Sequence, residues 1–183
     1  LWLYTRLATL HLLFEQKEEA KLFYQKAYQY EPRDREVLQD YAALLFSLEL
    51  TQEAAHVLRN LLLYHKQTLT KEHLVKVYIH LGEAYAGQEE SLEQARAAFE
   101  KALMYSPEDK RAGEGLLQIV STMQNPKEII EVREKMIRNI EDPHHRSQAL
   151  VALGKDWQER FHEVELAVDN YELALTEWPE NRE

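Results

Sequence analysis

The chain has 183 residues, is 45% hydrophobic and carries a net charge of −10 at pH 7. This acidic balance argues against a nucleic-acid partner, because phosphate binding requires clustered Lys and Arg. The absence of cysteine excludes disulfides, thiol catalysis and Cys-ligated zinc. No apolar run reaches the roughly 18 to 20 residues that cross a bilayer, so we expect no membrane insertion and a cytoplasmic location.

Helix formers dominate the composition, and Gly and Pro are scarce, with five of each. Leu, Glu and Ala have high helix propensity, whereas β-branched residues at a period of two are lacking. The sequence therefore predicts an all-α protein. It opens on Leu1, and we expect a fragment of a longer protein.

The first segment, residues 1–34, holds two helical patterns joined by a turn near residues 15–18. Ala8 is expected to face Ala20 where the two helices cross, because a larger side chain would force the axes apart. Pro32 closes the segment, since a helix does not continue through proline. The patterns consist of Tyr4, Leu7, Ala8 and His11, then Ala20, Tyr24 and Ala27.

The second segment, residues 35–68, repeats the first with a period of 34 residues. Tyr41 and Ala42 lie 34 positions beyond Leu7 and Ala8, and Ala54 lies 34 beyond Ala20. Such coincident offsets are typical of an internal repeat. Thr70 is predicted to cap the helix that follows.

The third segment, residues 70–109, contains the clearest copy, LGEAYAGQEESLEQARAAFEKALMYSP from Leu81 to Pro107. Residues 110–143 form a weaker copy, in which Ile129 and Met136 replace the small residues of the second helix. Residues 144–183 restore the pattern with Leu153, Gly154 and Trp157, then Ala167, Tyr171, Ala174 and Pro179.

The motif L-G-x-x-Y, then A-x-x-x-F, then A and a late P resembles the tetratricopeptide repeat, a helix-turn-helix unit. The resemblance covers nearly the whole chain in about five repeats. It implies a single array over residues 1–183, folded as a right-handed α-solenoid of about ten helices in antiparallel pairs.

Eight histidines raise the question of metal binding or catalysis. His144 and His145 are the densest cluster, but adjacent residues are expected to point in different directions. His162-Glu163 begins like a metalloprotease motif, yet Leu166 stands where the second His belongs. With no Gly-rich loop after a strand and no activated nucleophile, we expect no enzymatic activity, no cofactor and no metal site.

In the tetratricopeptide family, the first helices of the pairs line a concave groove. Projecting the corresponding positions onto this chain predicts partner-binding residues at Trp2, Thr9, Leu13, Gln39, Phe46, Lys76, Ile79, Glu83, Arg111, Glu114, Gln118 and Lys155. An alternative for the apolar members, such as Trp2 and Phe46, is that they pack on a further upstream repeat.

Chaperone-binding members of the family grip a C-terminal carboxylate with Lys, Asn and Arg. The corresponding positions here are Thr5, Thr9, Asp40, Lys76 and His80, of which only Lys76 fits. The Asp40 carboxylate would repel such a ligand, so the resemblance does not extend to that role. We expect instead a peptide with apolar anchors and an acidic group opposite Lys76 and Arg111.

The sequence therefore predicts a protein–protein interaction scaffold that binds a peptide or a segment of another protein. The alternative is a structural spacer or self-association module within a larger multidomain protein.

Overall fold

The computed structural model describes residues 1–123 and 126–180, and these residues form ten α-helices. A short 3₁₀ turn follows α4 at Lys66–Thr68, and another precedes α6 at Glu89–Ser91. The helices are α1 (Trp2–Leu13), α2 (Lys17–Tyr30), α3 (Arg35–Ser47), α4 (Thr51–His65), α5 (Lys71–Ala86), α6 (Leu92–Tyr105), α7 (Lys110–Thr122), α8 (Pro126–Arg138), α9 (Pro143–Glu159) and α10 (Val164–Glu177).

The chain divides into two compact units, Leu1–Tyr105 and Ser106–Glu183. In the first unit α1 packs on α2, α3 on α4 and α5 on α6, and the pairs are joined by packing of α2 on α3 and of α4 on α5. In the second unit α7 packs on α8 and α9 on α10, with α8 against α9. The predicted all-α solenoid of helix pairs is confirmed, whereas the repeat boundaries and the single array stay predictions.

Small residues lie where the helices of a pair approach each other. Ala8, Ala20 and Ala27 have no exposed surface. A Cβ added to Gly82 would lie 2.7 Å from the Phe99 ring, and one added to Gly154 would lie 2.6 Å from the Tyr171 ring. The glycine of the L-G-x-x-Y pattern thus makes room for the aromatic residue of the second helix.

The pair α7 and α8 solves the same packing problem at different positions along the two helices. Here the second helix carries the large Met136, and the first helix supplies the buried Gly113, whose added Cβ would lie 3.1 Å from Met136. From the sequence, the loss of small residues from α8 is evident, whereas a glycine inside α7 is expected only to weaken the helix. The compensating Gly113 lies on the partner helix, outside the motif positions.

A side-chain N-cap begins four of the first helices. Asp34 accepts a hydrogen bond from the backbone N–H of Val37, and Asp109 and Asp142 do the same for α7 and α9. Thr70 accepts from the N–H of His73, which confirms it as the cap of α5. Each cap satisfies a backbone donor that the helix itself leaves unpaired.

Three of the turns inside the pairs contain a non-glycine residue in the left-handed region. Glu15 has φ 59°, Glu49 has φ 60° and His162 has φ 58°. Glu15 and Glu49 occupy the same place in successive repeats, two residues before the start of α2 and of α4. A side chain in this conformation costs roughly 1 kcal/mol relative to glycine.

None of the helices in the described parts of the chain combines the length and the apolar character that a bilayer-spanning helix needs.

Candidate partner-binding site

Most predicted groove residues of the first unit reach solvent. Trp2 and Leu13 on α1 are 73% and 74% exposed, and Thr9 and Lys76 are also exposed. Gln39, Phe46 and Glu83 are half-buried. We call the solvent-facing side chains of α1, α3 and α5 the first-helix face.

Ile79 is an exception, because it is buried, with 4% of its surface exposed. The consecutive residues Val77, Tyr78 and Ile79 of α5 are all buried. A helix can bury three adjacent residues only when protein surrounds most of its circumference. Ile79 therefore belongs to the core, and its assignment as a contact residue is wrong.

Phe46 is held against the neighbouring first helix. Its ring lies 4.5 Å from the ring of His80, centroid to centroid, at an interplanar angle of 35°. This contact joins α3 to α5 on the first-helix face and leaves Phe46 partly accessible. The alternative that Phe46 packs only on an upstream repeat is therefore not needed to account for its burial.

A cavity of about 360 Å³ opens between α1, α2 and α3. Thr9, Tyr24, Asp40 and Ser47 are its polar residues. Its complete lining is Thr9, Leu12, Tyr24, Asp40, Ala43, Leu44 and Ser47. We call it the Asp40 pocket.

Asp40 and Tyr24 are coupled across the pocket. The Tyr24 hydroxyl donates a hydrogen bond to Asp40 Oδ2 over 3.4 Å. Asp40 keeps contact with solvent. Partial desolvation raises the pKa of its carboxyl, the hydrogen bond from Tyr24 opposes this, and the charges of Glu36 and Asp34 add to the rise. Burial also raises the pKa of Tyr24. Within the described chain, no basic side chain forms an ion pair with Asp40.

The sequence reading missed the polar function of Tyr24. Its position in the repeat predicts core packing, and 2% exposure agrees with that. Its hydroxyl nevertheless reaches Asp40 in the next pair, 16 residues along the chain. A buried tyrosine needs a partner for its hydroxyl, which is the signal that could have predicted this contact.

In the second unit, the predicted contacts lie on α7 and α9. Arg111, Glu114 and Gln118 are exposed on α7, and Lys155 is exposed on α9. All four side chains therefore reach solvent.

A second cavity, of about 450 Å³, lies within this unit between α8, α9 and α10. Its apolar wall includes Leu150 and Leu153. Both of its arginines are paired, Arg146 with Glu177 at 2.9 Å and Arg138 with Glu134 at 3.5 Å. Asp169 also lines this cavity and forms no ion pair among the described residues.

The side chains of His144 and His145 were expected to point in different directions, and the structure shows a different arrangement. One ligand atom each from Asp142, His144 and His145 lies within 4.8 Å of the others, so the two imidazoles do not point apart. All three residues are exposed. His145 Nδ1 lies 2.6 Å from Asp142 Oδ2, and the same carboxylate caps α9 through the His145 N–H. The cluster thus already serves as a helix cap.

Comparison with known proteins agrees with this architecture. A family model described as tetratricopeptide repeat matches residues 3–34 and 75–109. No curated protein matches the sequence significantly.

Three solved structures illustrate the likeness. MamA is 19% identical, with a TM-score of 0.66 over 93% of both chains. YrrB, described as a TPR protein with an unusual peptide-binding site, is 17% identical, with a TM-score of 0.62 over 97% of this chain and 86% of its own. The first TPR of Spaghetti (RPAP3), bound to the HSP90 peptide SRMEEVD, is 18% identical, with a TM-score of 0.53 over 68% of this chain and 93% of its own. At these identities the likeness concerns the fold.

Proposed function

Because the chain is built of tetratricopeptide repeats, we propose that it is a non-catalytic scaffold that binds a segment of another protein on the first-helix face. The proposed contacts in the first unit are Trp2, Thr9, Leu13, Gln39, Phe46, Lys76 and Glu83. In the second unit, the proposed contacts are Arg111, Glu114, Gln118 and Lys155.

The Asp40 pocket is the observation that carries this proposal. A concave site with an apolar wall and a few placed polar groups is typical of ligand recognition. The pocket opens beside Thr9, on the side of α1 and α3 where the family resemblance predicts the groove. Exposed apolar side chains on α1, with Trp2 and Leu13 each more than two-thirds exposed, add anchor points of the kind that peptide grooves use.

Two of the similar structures support a peptide as the occupant. YrrB has a peptide-binding site, and the Spaghetti (RPAP3) domain holds a peptide. Their low identity to this chain transfers neither the peptide nor the contacts, which is why the partner has to be found by experiment.

Selection from a phage-displayed library of random peptides on the immobilised full chain tests the proposal. We expect enriched peptides whose saturable binding, measured by fluorescence anisotropy, is weakened by Lys76→Glu. The control is Lys135→Glu, which makes the same charge change on the second helix α8. Equal effects of the two variants, or no enrichment at all, would contradict binding on the first-helix face.

A self-association module is the second candidate, and the exposed apolar side chains of α10 favour it. Val164, Val168 and Leu175 are 63%, 46% and 51% exposed. If α10 forms a contact between copies, the mass measured by light scattering rises with protein concentration, and Val168→Lys abolishes the rise. A mass that stays at 21.7 kDa across the concentration range would exclude this candidate.

A further inference from the structure

We propose that the Asp40 pocket receives a Lys or Arg side chain of the bound partner segment. This inference deepens the proposed function and depends on it. The proposed ligand group is positively charged, whereas the chaperone-binding members of the family select a carboxylate. It binds at a different position from the acidic group that is expected opposite Lys76.

The Asp40 carboxylate has no cationic partner within the described residues. It accepts a long hydrogen bond from Tyr24 and forms no ion pair with them. Asp40 is exposed, so a ligand that covers the pocket removes water from its carboxylate, and a hydrogen-bonded cation restores the lost interaction. A neutral ligand would leave that loss uncompensated.

The pocket wall combines apolar and polar side chains. Leu12, Ala43 and Leu44 are its apolar residues, and Thr9, Tyr24, Asp40 and Ser47 are its polar ones. Lys and Arg side chains have the same division, an aliphatic stem and a charged end. The volume of about 360 Å³ accommodates one such side chain together with part of its backbone.

The charges that act on the Asp40 carboxyl are negative. Glu36 and Asp34 both act on the Asp40 carboxyl, and each adds negative potential there. The net charge of −10 has the same sign. An acidic ligand group would be repelled at this point, whereas a basic one would be attracted and its association accelerated.

The cavity of the second unit serves as a comparison. Its two arginines are paired with its own carboxylates. A further carboxylate, Asp169, also lines that cavity without a described ion pair, but Arg138 and Arg146 line it too and disfavour an additional cation there. The lining of the Asp40 pocket contains no basic side chain.

The test repeats the peptide selection with the wild-type chain, Asp40→Asn and Asp40→Lys. Peptides enriched on the wild type are expected to share Lys or Arg at one position, and Asp40→Asn should weaken their binding by about tenfold or more, as the loss of a charge-assisted hydrogen bond implies. Asp40→Lys should enrich Asp or Glu at that position. The control is Glu172→Gln, which removes one exposed negative charge from α10 and should leave the affinity unchanged.

The outcomes separate this inference from the proposed function. Peptides that depend on Lys76 but lack a shared basic residue would overturn the cation pocket and leave the scaffold intact. A basic preference that survives Asp40→Asn would also overturn it, because general attraction to an acidic protein would then explain the selection. Failure to enrich any peptide would overturn both proposals. A concentration-dependent mass that disappears with Asp40→Asn would assign the pocket to a second copy of the chain, and would also reject a partner peptide.

Discussion

At Gly82 the two helices of the pair α5 and α6 come so close that no side chain fits between them. An added Cβ would lie 2.7 Å from the Phe99 ring, and Phe99 is itself 2% exposed and has no free space. Gly82→Ala should therefore lower the free energy of unfolding by at least ~1 kcal/mol, because overpacking outweighs the better helix propensity of Ala. Urea denaturation followed by circular dichroism measures the change.

Gly87 provides the control for this substitution. It ends the same helix, and an added Cβ would meet no atom within 4 Å. Gly87→Ala should change the free energy of unfolding by no more than ~0.5 kcal/mol. Equal losses for the two variants would show that the approach of Phe99 does not decide the effect.

The charge of the Asp40 carboxyl is expected to lower the free energy of unfolding in a pH-dependent way. Burial raises its pKa in the folded state, so folding favours the protonated form. Its contribution to stability is present below the unfolded pKa of about 4 and is lost as the pH rises through the folded value. Asp40→Asn should therefore increase the free energy of unfolding at neutral pH, with the gain disappearing towards about pH 3.

Urea denaturation of wild type and Asp40→Asn at both pH values measures this difference. A variant less stable than wild type at neutral pH would mean that the Asp40 charge stabilises the fold. Such a result would indicate a cationic partner within the chain and would remove the unpaired carboxylate from the pocket.

The turn before α4 is expected to be strained at Glu49. Glu49 precedes α4 with φ 60°, a conformation that glycine adopts without the steric cost of a Cβ. Glu49→Gly should raise the free energy of unfolding by roughly 0.5 to 1 kcal/mol, part of the strain being offset by the greater flexibility of unfolded glycine.

Glu53→Gly is the matched control, since it places the same residue inside the first turns of α4. It should lower the free energy of unfolding by roughly 0.5 to 1 kcal/mol, because glycine in a helix loses more backbone entropy than other residues. Thermal melts of both variants test the pair, and a loss of stability in both would contradict the strain assigned to the turn.

Helix positions and caps could be predicted because they depend on local sequence. Thr70 has the residue type and the place of an N-cap, and the structure shows the hydrogen bond. Ile79 could not be placed from its repeat position alone, because burial depends on how many neighbours surround α5. The same applies to Gly113, whose importance follows from Met136 on another helix.

At the scale of the whole molecule, the period of 34 residues predicts which helices repeat one another and therefore which pairs form. It places Thr9 on one first helix and Asp40 on the next, but the chemistry of the pocket also needs Tyr24, which the motif assigns to the core. The period does not indicate where the chain divides into Leu1–Tyr105 and Ser106–Glu183, since this division depends on packing between helices and not on their spacing.

The central claim is that a partner segment binds on the first-helix face at the Asp40 pocket. Amide chemical-shift mapping of the full chain, titrated with an arginine-containing peptide from the selection, tests it most directly. The largest shifts are expected on α1 and α3 around Thr9, Asp40 and Ala43, and Asp40→Asn should reduce them at equal peptide concentration. Shifts confined to α4, α6 or α10, with α1 and α3 unchanged, would contradict the account.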